Sequence, residues 1–383
     1  MSTEHPAPDQ APGAPHPRTT QQIFGQDAAQ AAFLQSYASD RLHHGWLLTG
    51  PRGVGKATLA WHIARFLLAT PPAAGDGLFG ADAPPETLAI DPDHPVARRI
   101  LAGADPGLAT ITRSVNERTD RMRDEIVVDD IRSLNRFFGL SAADGGRRVV
   151  IVDCADEMNV SAANALLKML EEPPARTTLL LISHRPSHLL PTIRSRCRTL
   201  RLEPLGSADM QSALAQTGAA LPEGPAQSEH LAALAAGSVG DALRLVNQGG
   251  LQIYGELIGI LDTLPRLDRS RALSLAQTAA QKGASEKFEL LLNLIDILLV
   301  RLARTGATGA PPLPQAGPNE SPVLARLAAT PPMGRAWADI AATITTRTRH
   351  GKAVNLDPAS LVLDTVFKMQ ETAAGQARLS PRP

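Results

Sequence analysis

The stretch Gly50-Pro-Arg-Gly-Val-Gly-Lys-Ala57 has the spacing of a phosphate-binding loop. In the pattern G-x-x-x-x-G-K-[ST], backbone N–H groups cradle phosphates, the lysine reaches the outer phosphates and the final hydroxyl sits on Mg²⁺. Gly50, Gly53, Gly55 and Lys56 supply the cradle and its cation, but Ala57 stands where the metal-binding hydroxyl belongs. Thr58 follows at once, yet one step along a helix turns a side chain by roughly 100° and points its hydroxyl away from the phosphates. These residues hold a nucleotide, or descend from a site that did, without the full equipment for hydrolysis.

A phosphate loop works only between a strand and a helix. Gly45 to Thr49 is a short apolar run ahead of Gly50, and Lys56 to about Leu68 has an amphipathic pattern, so that context is present. Further on, Arg147 to Asp153 and Thr177 to Ser183 read as buried parallel strands, and Leu108 to Thr112 as another. Between them, Ile126 to Arg132 opens a helix, and Asn159 to Glu172 forms one stopped by Pro173-Pro174. Alternating strands and helices predict an α/β domain with a mostly parallel sheet. Residues 70–106, rich in Pro, Gly, Ala and Asp, read as an irregular insertion. Beyond Glu203 the patterns are helical: Ala208 to Gln216, then Ser228 to about Asn247 with Gly237 and Gly240 inside it. A further helical region follows Gly249-Gly250, and its last helix runs from Pro358 to about Thr372.

Composition narrows the function. Lys plus Arg equals Asp plus Glu at 38 each, so the chain lacks the basic excess of a protein that binds nucleic acid alone. The 383 residues predict two to three domains. Only Cys154 and Cys197 are present, without metal-ligand spacing, which excludes a disulfide framework and fits a reducing cytoplasm. Residues 1–22 read as a disordered tail and 374–383 as a loose one. The apolar run from Leu290 to Leu302 carries Asn293 and Asp296 and is shorter than the roughly 20 residues of a membrane span, so no membrane contact is expected.

Asp153, at the end of a strand beside the loop, is placed to order a Mg²⁺ shell. The residue after it is Cys154, and a thiol cannot replace a carboxylate as the base that polarises water. Asp156 and Glu157 lie further along, past the strand end. Asn164-Ala-Leu-Leu-Lys-Met-Leu-Glu-Glu-Pro-Pro174, followed by Leu189-Leu-Pro-Thr-Ile-Arg-Ser-Arg-Cys197, resembles the paired signature of bacterial DNA polymerase III clamp-loader subunits, members of the AAA+ group. The resemblance covers residues 23 to about 250 with specific motifs, and beyond that it rests on helical content and length.

The resemblance implies a P-loop AAA+ domain with a parallel sheet (23–202), a small helical lid domain (203–250) and an all-α collar domain for oligomerisation (251–373). It also implies that Arg196, in Ser195-Arg196-Cys197, reaches in trans to a neighbour's ATP as an arginine finger. Motor subunits of that family keep the P-loop hydroxyl, a glutamate after the strand Asp and an arginine in a lid motif similar to G-S-x-R-D-A-L. Here the lid reads Gly237-Ser-Val-Gly-Asp-Ala-Leu243, with Gly240 in place of that arginine. Three losses with Arg196 retained resemble the stator class, which closes one end of the ring. The implied partners are the motor (tau/gamma) and delta subunits of a hetero-oligomeric ring, with the sliding clamp and primed DNA met through the complex. The implied nucleotide site is Gly50, Gly53, Gly55, Lys56, Ala57, Thr58, Asp153 and Ser183, retired or binding ATP without hydrolysis. Any enzyme class then belongs to the holoenzyme, a DNA-directed DNA polymerase. The rival reading is a motor ATPase of the same ring, with Thr58 rescuing the metal and Asp156 or Glu157 the water.

Each of these residues also has a plainer role. Arg196 lies among Arg194, Arg198 and Arg201, and such runs are usually solvated faces. Ser183 is either a polar sensor for nucleotide or a hydroxyl capping the turn before His184. Cys154 and Cys197 read as packed thiols. Many relatives carry a four-cysteine zinc module where this chain has residues 70–106; with no cysteine there, neither zinc nor another metal site is expected. His43 and His44 are expected to pack or face solvent.

Overall fold

β-Branched and leucine-rich runs with no polar alternation can be stable only where both faces of a sheet are covered, and such runs form the centre of this protein. The structure, a computed structural model, describes residues 10, 13–39, 42–70, 85–139, 146–281 and 285–379. It divides into two compact units, Met1–Gly218 with Gly237–Gly240, and Ala219–Ala236 with Asp241–Pro383.

The first unit is α/β. Its elements in chain order are α1 (Asp27–Ala38), β1 (Gly45–Thr49), α2 (Lys56–Ala69), α3 (Pro95–Leu101), β2 (Leu108–Ile111), β3 (Val115–Asn116), β4 (Arg121–Met122), α4 (Val128–Gly139), β5 (Arg148–Asp153), α5 (Val160–Glu171), β6 (Thr177–Ser183), α6 (Pro191–Ser195), β7 (Arg198–Arg201) and α7 (Ser207–Ala215). Five strands form one sheet in the order β2-β5-β6-β1-β7, and every pairing in it is parallel. All residues of β1 and β6 are buried, as are the middle four of β5. On one face Ile131, Leu134, Leu166 and Leu170 pack against Leu47, Val150, Leu179 and Leu181. α5 begins at the capping side chain of Asn159, which accepts the Ala162 N–H, and ends before Pro173.

This unit differs from the sequence expectation in three places. The buried segment that begins at Cys197 is β7, an edge strand with only Leu200 buried, so its pattern carries little signal; its pairing with β1 makes it a strand. The insertion is not wholly irregular. His94 caps α3, which buries Val96, Ala97 and Ile100, while residues 71–84 lie outside the described set. Likewise part of the N-terminal stretch is ordered. Pro17–Thr19 forms a short helical turn, the Arg18 carbonyl accepts from Arg65 of α2 at 3.0 Å, and the Thr20 carbonyl meets His62 at 3.1 Å. Residues 1–9, 11 and 12 are outside the described set.

The second unit is helical: α8 (Pro225–Ala235), the larger part of α9 (Val239–Asn247), α10 (Gly250–Thr263), α11 (Arg269–Ala279), α12 (Ser285–Thr308), α13 (Glu320–Leu327), α14 (Pro331–Ala353) and α15 (Pro358–Leu379). α15 runs past the expected end at Thr372 into the stretch read as a loose tail. Its heart is the buried Glu320 carboxylate, which accepts from Tyr254 Oη and Arg301 Nε, both at 2.6 Å, from Arg301 Nη2 at 2.9 Å and from the Ala316 N–H at 2.6 Å. A charge this deep persists because every lone pair has a donor. α12 and α14 cross at Gly306 and Gly334, where a Cβ on Gly306 would lie 2.5 Å from the Gly334 Cα. Among the described residues, no helix is long and apolar enough to cross a membrane.

Candidate nucleotide site and exposed arginine

In a parallel sheet the strand C-termini gather at one edge, the usual place for ligands. Thr49 is in register with Ser183, and Asp153 with Ile182, so β1, β5 and β6 deliver the P-loop, Asp153 and Ser183 to the same edge. The loop itself is a tight backbone structure. Gly50, Gly53 and Gly55 have φ of 140°, 76° and 98°, a region that side chains resist. At Gly50 the constraint is also steric, since a Cβ would lie 2.3 Å from the Leu202 carbonyl oxygen.

Lys56 opens α2 at 3 % exposure, and its Nζ donates to the Gly50 carbonyl at 2.8 Å and to the Pro51 carbonyl. Desolvation lowers its pKa to about 8, with Cys154, Asp153 and Asp156 acting in the opposite sense. Ala57 and Thr58 follow in the first turn of the helix, both half-buried. The lid turn closes on the loop: the Gly240 N–H donates to the Gly53 carbonyl at 3.3 Å, and a Cβ on Gly240 would be 3.2 Å from the Gly53 Cα. A Cβ on Gly53 would strike Ser238 Oγ at 2.2 Å. An arginine at 240 would therefore need this contact to loosen. The positive-φ glycines and the Lys56 ammonium are the features a phosphate cradle uses, and Asp153 shares their edge, while Ala57 offers no metal-binding hydroxyl and Cys154 no carboxylate.

Asp156 and Glu157 lie in a 3₁₀ turn, Ala155–Glu157, beyond β5. The Asp156 carboxylate accepts the N–H groups of His184 at 2.9 Å and Arg185 at 3.2 Å. Burial alone would raise its pKa, but the hydrogen bond from the His184 N–H, first among the opposing influences, helps bring it below the ordinary carboxylate value. Glu157 pairs with Arg113 at 3.0 Å. Both carboxylates that might have replaced the missing base are thus engaged elsewhere. Asp156 also caps the turn at His184, the plainer role considered for Ser183, which ends β6 with no exposure.

Two residues at this edge were not singled out by the sequence. Gln26, 4 % exposed, donates to the carbonyls of Val54 (3.1 Å) and Glu203 (2.8 Å) and accepts the Glu203 N–H (3.3 Å), tying the P-loop to the exit of β7. His184 lies with Nε2 3.1 Å from Cys154 Sγ. Neither the glutamine nor the imidazole has a local signal; for His184 the preceding strand β6 fixes the position.

Arg196 sits at the opposite edge. It follows α6 and leads into β7, with Nη1 donating to the Thr192 carbonyl at 3.1 Å and Nη2 2.8 Å from Glu171 Oε1. The two side chains are 38 % and 43 % exposed. Gly45, at the start of β1, permits the convergence: a Cβ there would meet Leu170 Cδ2 at 2.9 Å, the Arg196 carbonyl oxygen at 3.1 Å and Cys197 Sγ at 3.3 Å. Of its neighbours, Arg198 places its guanidinium 5.4 Å from the Trp46 ring centroid. His43 and His44 stack at 4.5 Å, and His44 Nε2 meets the Leu170 carbonyl at 2.9 Å, joining β1 to the end of α5. Burial pushes the Cys197 thiol up to about 12.

The model of the family described as "DNA polymerase III, delta subunit" matches residues 25–206, the segment that holds the P-loop, Asp153 and Arg196. Over that segment the chain is similar to proteins named DNA polymerase III subunit delta'. It is 43 % identical over 221 residues to DNA polymerase III subunit delta' of Pseudomonas aeruginosa, covering 57 % of this chain and 61 % of that protein. It is 27 % identical over 289 residues to DNA polymerase III subunit tau of Escherichia coli, covering 72 % of this chain and 40 % of that one. A DNA polymerase III gamma subunit-related protein of Thermotoga maritima superposes with a TM-score of 0.40 at 17 % identity, covering 89 % of this chain and 99 % of that one. The chain thus spans about three fifths of the first relative and less of the second. Its first unit is α/β with a parallel five-stranded sheet and its second is helical.

Proposed function

We propose that this chain is a delta-prime subunit, the stator of a clamp-loader ring, deficient in hydrolysis, and that it lends Arg196 to ATP held by an adjacent motor subunit. The observation that carries this reading is the half-exposed Arg196 guanidinium at the sheet edge away from its own P-loop. A side chain so placed is available to another subunit's nucleotide and not to its own. A trans arginine neutralises charge on the transferring phosphoryl group and is worth about 10³ to 10⁵ in rate, or roughly 4 to 7 kcal/mol.

The P-loop edge supports the other half of the proposal. Ala57, Cys154 and Gly240 replace three groups needed for turnover, and Asp156 and Glu157 are committed to His184, Arg185 and Arg113. The loop binds ATP without turning it over, through the Gly53 to Lys56 backbone and the Lys56 ammonium. The helical region 251–373 acts as the collar that docks onto the tau/gamma motor and delta subunits. Its exposed Val300, Leu313 and Phe367 are available for such contacts. Through the ring it takes part in placing the sliding clamp on primed DNA.

The test is reconstitution with motor and delta subunits. Arg196→Ala should sharply reduce the ATPase that clamp and DNA stimulate, while the isolated wild-type chain shows negligible turnover. Undiminished ring ATPase would sink the finger role. Turnover by the isolated chain that Lys56→Ala abolishes would instead establish a motor subunit.

A further inference from the structure

Cys154 is buried between two polar partners. Its S–H donates to Asp153 Oδ1 at 3.0 Å and its sulfur lies 3.1 Å from His184 Nε2. The ligating atoms of Asp153, Cys154 and His184 all fall within 4.8 Å of one another. The parallel sheet makes this trio: β5 ends at Asp153 and β6 just before His184, so the two adjacent strand ends place an oxygen, a sulfur and a nitrogen together. Asp156 fixes the backbone at His184 by its hydrogen bond to that N–H, holding the ring's anchor point.

We propose that Asp153, Cys154 and His184 form a binding site for one Zn²⁺ ion. A mixed oxygen, sulfur and nitrogen donor set suits a borderline-soft ion and disfavours Mg²⁺, which requires oxygen ligands. Binding requires the Asp153 oxygen and His184 nitrogen, within 4.8 Å of each other, to come to about 3.4 Å apart. In tetrahedral zinc, bonds of about 2.3 Å to sulfur and 2.0 to 2.1 Å to nitrogen or oxygen separate those atoms by about 3.5 Å, so each contact to Cys154 opens by roughly half an ångström. The fourth position is left for water. Binding follows Cys–SH + Zn²⁺ → Cys–S–Zn⁺ + H⁺, the proton going to buffer; with Asp153 ionised, the bound cluster is electrically neutral. The buried Lys56 ammonium bears electrostatically on Cys154 and Asp153 and opposes the incoming cation. This site is independent of the role proposed for Arg196.

Co²⁺ titration of the full chain, with back-titration by Zn²⁺, reads the site directly. One equivalent of Co²⁺ should give a thiolate-to-cobalt charge-transfer band that Zn²⁺ abolishes and excess Mg²⁺ leaves intact, with release of about one proton per metal. Cys154→Ser should remove the band. His184→Gln should weaken binding at least about tenfold, Lys56→Ala should strengthen it several-fold, and Cys197→Ser should leave it unchanged. Circular dichroism establishes that each variant is folded; if Cys154→Ser is not, the His184→Gln and Cys197→Ser pair decides. Absence of a thiolate band in the wild type, or its persistence in folded Cys154→Ser, would overturn the site. So would loss of the band in Cys197→Ser together with its retention at full affinity in His184→Gln.

Discussion

The two ends of β1 show opposite physical strategies. At its C-terminal end the P-loop is closed upon itself: Lys56 is buried against loop carbonyls, Gln26 ties Val54 to Glu203, and the lid turn touches Gly53. At its N-terminal end Arg196 stands half-exposed with one carboxylate partner. Five residues of strand at about 3.3 Å each separate these ends by roughly 17 Å. The two edges can thus change independently, because the strands between them are held by burial.

The comparison would be broken most directly by exchanging which end matters. In the reconstituted ring, Arg196→Ala should lower stimulated ATP turnover by about 10³-fold or more, whereas Lys56→Ala should leave it within about twofold; steady-state phosphate release measures both. A reversal would make this chain a motor. Arg196→Lys should recover only part of the loss, since a point charge cannot reproduce the planar guanidinium fork.

Stability changes should follow the packing at each end. Gly50→Ala meets both a φ of 140° and a carbonyl oxygen 2.3 Å away, and denaturant unfolding should show a loss of about 3 kcal/mol or more. Gly45→Ala faces contacts of 2.9 to 3.3 Å, the nearest a movable leucine methyl, and should cost about 1 to 2 kcal/mol.

The P-loop side should also be acid-sensitive. Desolvation lowers the pKa of His62, in α2, and of His184 to about 4 from 6.5. Between these values the unfolded chain binds more protons than the folded one, so stability rises with pH across that window and is lost as pH falls from about 6.5 to 4. Thermal melts at stepped pH should show the decline, and His62→Gln should flatten it. The smallest effect belongs to the arginine side. Glu171→Gln removes an exposed ion pair and should change stability by less than about 1 kcal/mol, while faster side-chain motion of Arg196 appears in NMR relaxation.

Much of this arrangement is legible in the chain because it is local. The span Thr177 to Ser183 matches β6 to the residue, and Asn159 and Pro173 bracket α5 as caps and breakers should. The nucleotide end could be read for the same reason, since a P-loop is one continuous segment. What escaped is non-local. β7 carries one buried residue and is a strand by virtue of β1 beside it. Gln26 finds partners 28 and 177 residues away, and His184 meets a cysteine 30 residues earlier. Polar residues gain such roles from strand order, which no single-segment pattern encodes.

β1 is buried at all five positions and hydrogen-bonded on both sides, to β6 and to β7. Mechanically it is a strut without a joint. Its amides open only when the sheet opens, so the exchange of Leu47 and Leu48 should be among the slowest in the molecule. A push on the P-loop can then reach Gly45 only as a tilt of the whole sheet, and the arginine beyond it moves as the far end of a rigid lever.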